Sequence, residues 1–235
     1  MAASCVTTID WDATGSMLSG LGTIGGAVVV LIAALIGKDT FDTWKRQKLE
    51  ERKIVLAESA LTLAFKLQPA ISSIRSPFSL AGEIERAEAS LREQDLINDQ
   101  TPQARVQPLT TAQTALNRIA SYAGLIDSLA ELRPSVRAIF GSDVEAKLAV
   151  FENSIREVRT AAFGISRTGR AVYPNEQVAD QDYARAQRFE AKLWEDSVIS
   201  DDGQEAVDPI KKAVADAVTD LEKLFRPYFD ATAKG

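Results

Sequence analysis

The chain has 235 residues, 46% of them hydrophobic and 26% charged, with 27 Lys and Arg against 33 Asp and Glu for a formal net charge of −6. It contains no His and a single Cys. These counts exclude His-activated nucleophiles, His metal sites, Cys-cluster zinc and an intrachain disulfide framework, and the average composition is that of an ordinary globular protein.

The first segment, 1–12, reads as a short extracytoplasmic tail holding Asp10, Asp12 and the lone Cys5. A tail thiol in an oxidising compartment is able to bridge two copies, although most lone tail cysteines have no role. From Ala13 to Gly37 run 25 residues without a charge. About 20 apolar residues in a helix span roughly 30 Å, the thickness of a bilayer's hydrocarbon core. The acidic start and the length of the run argue against a cleaved leader, so 13–37 is expected to be a transmembrane helix. Its basic flank lies on one side only: Lys38, Lys45, Arg46, Lys48, Arg52 and Lys53 all follow it. By the positive-inside rule the N-terminus lies outside and the rest of the chain in the cytoplasm, which in a bacterium places the protein in the inner membrane. Because Asp39, Asp42, Glu50 and Glu51 are interleaved with the cations along the sequence, the basic cluster reads first as a topology signal and only second as a contact for anionic lipid.

Gly20, Gly22 and Gly25 match the G-x-G-x-x-G dinucleotide fingerprint. That motif works only between a strand and an amphipathic helix; here no strand precedes it and the following helix is apolar all round. The same region reads better as a packing stripe. Gly15, Ser19, Gly22, Gly26, Ala33 and Gly37 recur at helical spacing, and small residues on one face let two helices approach closely in lipid. A homo-oligomer assembled through the span is therefore expected.

Residues 38–68 read as a juxtamembrane helix continuing the span, with Leu49, Leu56, Ala60, Leu63 and Leu67 on one side and Pro69 as its stop. Beyond it, 69–235 is expected to be a cytoplasmic antiparallel helical bundle. Its helices are predicted over 81–96, over 109–133 with Pro134 as the stop, from a Ser142/Glu145 capping box to about 166, over 177–199, and from an Asp208-Pro209 cap to the end. No alternating run bounded by hairpin turns predicts a sheet. The fold class is thus all-α, with a single N-terminal transmembrane helix that continues into the bundle.

Nothing in the sequence assembles a reaction centre. The acids Glu195, Asp196, Asp201, Asp202 and Glu205 lack the order of a calcium loop, and no serine elbow or S-x-x-K stands in a usable setting. Arg156, Arg159, Arg167 and Arg170 flank Phe163 and Tyr173 but read as a charge-compensated face, so nucleic acid is not an expected partner. No catalytic residue, metal or cofactor is expected. The expected function is a non-enzymatic, membrane-anchored scaffold or interaction module whose partners are the lipid bilayer, further copies of itself and an unidentified protein. The alternative is an oligomeric membrane effector that perturbs or opens the bilayer, of a toxin or phage-defence type.

Overall fold

A computed structural model describes residues 11–168, 181, 185, 188–195, 198–199, 205–206 and 208–232. The described chain is all-helical apart from one two-residue pairing. Helix α1 covers Trp11–Ile74, α2 Ala81–Glu93, α3 Gln103–Ser121, α4 Ala123–Phe140, α5 Ser142–Thr168 and α6 Pro209–Thr232. The chain divides into two units, 1–52 and 53–235, with α1 contributing to both.

In the second unit one core gathers the apolar stripes of α1, α3, α4, α5 and α6. From α1 it takes Ala57, Ala60, Ala64, Leu67, Ile71 and Ile74, whose three-four spacing keeps them on one face. Helix α5 is central: it packs against α3, α4 and α6 and buries Leu148, Phe151, Ile155, Val158 and Ala162. Each such large apolar side chain removed from water contributes about 1.5–3 kcal/mol. Helix α2 packs on α3, and Leu91, Ile97 and Leu109 form a smaller core there. The stripe of α1 begins later than its leucine spacing suggests, because Leu49 is exposed and Leu56 only half-buried. Alanines Ala57, Ala60, Ala64, Ala112, Ala115, Ala161, Ala162 and Ala217 sit in this core, where the small side chain lets the chain's own helices approach.

Several predicted boundaries move, and for one reason. Pro69 lies inside α1 rather than ending it, and Pro134 lies inside α4; Pro227 lies inside α6, as the helix expected through Tyr228 requires. A proline strips the hydrogen bond from the carbonyl four residues earlier. The residues concerned, Phe65, Ala130 and Lys223, are exposed, as are the three prolines; at an exposed position water is able to replace the missing donor, and the helix runs on. The predicted helix over 109–133 breaks instead at Tyr122 (φ −100°), between α3 and α4. There the Ser121 hydroxyl donates to the Arg118 carbonyl at 2.7 Å, competing with the backbone ladder, and Gly124 weakens the next turn. Helix α4 ends where Gly141 takes φ +91°, a conformation that favours glycine.

The Ser142/Glu145 capping box does not form. The Glu145 carboxylate accepts from Arg133 at 2.8 Å, and the Ser142 hydroxyl turns to Asp143. The reciprocal arrangement occurs in part at α2, where the Leu80 N–H donates to Glu83 Oε2 at 3.0 Å. At α6 the predicted cap is present: Asp208 Oδ1 accepts from the N–H groups of Ile210 and Lys211 at 2.9 and 3.0 Å. Of the helix predicted over 177–199, residues 188–193 are helical, whereas Val198–Ile199 pairs antiparallel with Glu205–Ala206. This short ladder is the one exception, among the described residues, to the expectation of no sheet.

Candidate functional site

Two regions stand out, one in each unit. In the first, Val28, Val29, Val30, Leu31 and Ile32 are 49–68% exposed, and Leu35 is 68% exposed. Five consecutive residues at about 100° each circle a helix completely, so α1 is apolar and uncovered on every side at this level. Leaving six such side chains in water forgoes on the order of 10 kcal/mol of burial. Of the small-residue stripe, Ser19, Gly26, Ala33 and Gly37 are exposed; the surroundings of Gly15 and Gly22 lie outside the described residues. A methyl group placed on Gly25, Gly26 or Gly37 meets nothing within 4 Å, so no contact made by the chain itself calls for glycine there.

By length and composition, α1 also has a stretch at Thr40–Ile74 long and apolar enough to cross a membrane. Within its most apolar window 39% is buried, and buried residues there, among them Ala57, Ala60, Leu63, Leu67 and Ile71, belong to the core of the second unit. That share of the apolar surface already has a protein partner, unlike the surface at 28–35.

The basic cluster sorts by side. With Phe41 as reference and about 100° per residue, Lys38, Trp44, Lys45, Lys48 and Arg52 fall with it inside an arc of about 120°. No acid shares that arc. Asp42, Arg46, Glu50 and Lys53 lie around the remainder, and Glu51 stands just outside its edge, where it pairs with Lys48 at 2.7 Å. Phe41 and Trp44 are both exposed, with ring centroids 5.8 Å apart. Arg46, away from this face, donates to the Thr43 hydroxyl at 3.4 Å.

In the second unit two buried arginines organise the turn after α1. Arg75 donates to both oxygens of Asp208, at 2.9 and 2.6 Å, and to the carbonyls of Lys192 and Trp194, at 3.1 and 2.7 Å. The Glu195 N–H returns a bond to the Arg75 carbonyl at 2.7 Å. Burial pushes the Asp208 carboxyl up, but the bonds from Arg75 and from the Lys211 and Ile210 N–H groups outweigh it and hold it below the usual range. Arg118 donates to Glu83 at 2.8 and 3.1 Å and to the carbonyls of Ser76 and Phe78, both at 2.7 Å. The Arg118 bond, with the one from the Leu80 N–H, lowers Glu83 to about 2.

Both arginines escaped the sequence reading, although a signal exists: neither has an acid within seven residues along the chain, so any ionic partner must come from elsewhere in the fold. The Phe41/Trp44 pair was also missed, and it shows only when the segment is wound as a helix.

A groove of about 580 Å³ lies over α3, lined by Thr110, Thr114, Glu88, Glu190 and Trp194 among others. Its lining includes two carboxylates, Glu88 and Glu190, and among the described residues no cation. The Thr110 hydroxyl is buried without a partner among the described residues. Of the predicted acidic cluster, Glu195 pairs with Lys211 at 2.7 Å and accepts from Ser72; Asp196, Asp201 and Asp202 lie outside the described residues. Among the described residues no group of three or more acids or Cys is placed to hold a metal ion. Arg156 donates to Asn153 and Phe163 is exposed, while Arg170 and Tyr173 lie outside the described residues. No family model, curated protein or solved structure matches the chain.

Proposed function

We propose that the protein is a non-enzymatic membrane-anchored scaffold. Residues 13–37 of α1 lie in the bilayer with the N-terminus outside. The bundle lies in the cytoplasm, at the inner membrane if the host is bacterial, and serves as an interaction module for itself or another protein. The observation that carries this reading is the exposure of Val28 to Ile32 on every side of the helix. A core helix has one dry face, whereas a helix in lipid has none that must be polar. Placing the span at 13–37 rather than at 40–74 rests on charge and burial: 13–37 has no charged residue, and the later stretch gives part of its apolar surface to the core.

Self-assembly through Gly15, Ser19, Gly22, Gly26, Ala33 and Gly37 is supported by the open space beside Gly26 and Gly37, since a glycine face unused within the chain is available to a second helix. The test is alkaline carbonate extraction of membranes from cells expressing the full chain, followed by crosslinking in mild detergent. The anchor requires that the protein stay in the pellet; release into the supernatant overturns it. Gly22→Ile with Gly26→Ile is expected to abolish the crosslinked oligomer. An unchanged oligomer moves assembly to the cytoplasmic helices.

A further inference from the structure

We infer that the face of α1 bearing Lys38, Phe41, Trp44, Lys45, Lys48 and Arg52 docks on the anionic headgroups of the leaflet from which the helix emerges. The inference rests on the proposed membrane anchor. Along the sequence the cations alternate with acids, which suggests a neutralised, solvated segment. Wound at about 100° per residue, the segment separates them: four cations and two aromatics share one arc of about 120°, and Asp42 and Glu50 turn away from it.

Residues Lys38, Phe41, Trp44, Lys45, Lys48 and Arg52 are all exposed, so the face is open to a partner, with Phe41 and Trp44 beside each other on it and Lys48 pairing with Glu51 at its edge. Aromatic rings with an apolar body mark the membrane–water boundary, and basic side chains beside them attract anionic lipid.

Depth along the helix agrees. Phe41 and Trp44 follow Gly37 by four and seven residues, about 6 and 10 Å at 1.5 Å per residue, which is the level of the headgroup layer flanking the hydrocarbon core. Lys48 and Arg52 lie higher, about 16 and 22 Å beyond Gly37. They reach the phosphates when the helix leans toward this face, as a one-sided charge pattern on a neutral apolar helix favours. Anionic lipid therefore sets the direction of tilt, and neutral lipid does not.

The experiment uses the full chain with Trp11→Phe and Trp194→Phe, which leaves Trp44 as the sole indole of the three in the sequence. It is reconstituted into vesicles of phosphatidylcholine alone or mixed with phosphatidylglycerol, and acrylamide quenching of Trp44 is measured. Quenching is expected to be weaker in the anionic vesicles, with the difference lost at 1 M salt, where the Debye length is about 3 Å. Lys45→Gln with Arg52→Gln is expected to shift the docked equilibrium by about fivefold per residue removed. Arg46→Gln with Lys53→Gln removes the same charge from the other side and is expected to leave the lipid dependence intact.

Equal quenching in both vesicles, or equal loss in both double variants, overturns the inference. So does protection that follows the protein-to-lipid ratio instead of lipid charge, which assigns the face to a second copy. Failure to enter vesicles of either composition overturns the anchor itself, a separate and recognisable result.

Discussion

Arg75 and Asp208 lie 133 residues apart in the chain and meet as a buried two-point ion pair, with N–O distances of 2.9 and 2.6 Å. Asp208 is at once the cap of α6 and the counter-ion of the residue that follows α1. With the side chains 1% and 5% exposed, removing one partner strands a charge away from water. Asp208→Ala is therefore expected to destabilise the helical second unit by about 3–5 kcal/mol, read by denaturant unfolding of the full chain in detergent. Arg75→Met with Asp208→Leu removes both charges and is expected to recover part of that. It should still fall short of wild type by about 1–3 kcal/mol, because the Lys192 and Trp194 carbonyls lose their donor and the first N–H groups of α6 lose their cap. A double variant no better than the worse single one contradicts this assignment.

Acid should weaken the helical second unit in a defined window. Glu83 titrates at about 2 in the fold against an ordinary 4.5, so its contribution is complete above pH 4.5 and is lost as the pH falls toward 2. Asp208, Glu195 and Asp220 are shifted the same way. Stability measured from pH 6 downward is expected to decline through that window, and Glu83→Gln to flatten part of the slope. A slope unchanged in the variant removes Glu83 from the account.

Gly164 lies inside α5, and a Cβ there would stand 2.4–2.6 Å from the ring atoms of Phe189. In an open helix Gly→Ala gains about 1 kcal/mol. Here the methyl group must displace an aromatic ring, and Gly164→Ala is expected to destabilise by about 1–3 kcal/mol. Adding Phe189→Leu should relieve the clash, which separates it from a backbone effect in the same unfolding assay.

A single charge in the exposed apolar stretch tests the anchor from another direction. Leu31→Lys adds about 2.5–3.5 kcal/mol to insertion at the centre of a span and is expected to move a measurable fraction of the protein out of the membrane pellet. At Thr62, exposed on α1 in the second unit, the same replacement is expected to leave fractionation unchanged.

Helix identity was readable because α3, α5 and α6 carry long three-four stripes most of whose apolar positions are buried: Leu109, Leu148, Phe151, Val214 and Phe225 are buried as their spacing demands, while Leu116 and Tyr228 are half-buried. Helix ends were less readable. Pro69 and Pro134 look like stops, yet whether a proline ends a helix depends on whether the carbonyl it frees meets water, and that is a tertiary fact. The break at Tyr122 is hidden for the opposite reason: the stripe passes through Ile119, Ile126 and Leu129 at helical steps while the backbone does not. The buried arginines depended on partners 35 and 133 residues away, beyond the reach of local pattern. The face of α1 was obscured by order along the chain, since cations and acids that alternate in sequence separate once the helix is wound.

The ion pair between Arg75 and Asp208 also constrains the timing of synthesis. The ribosome makes Arg75 133 residues before its counter-ion, an interval of roughly 7–27 s at ordinary elongation rates. Throughout it the nascent chain holds a cation destined for burial, beside the apolar stripe from Ala57 to Ile74, with no α6 yet to close over them. A chaperone that binds apolar stretches should therefore engage this chain during translation, and let go only as the last helix emerges.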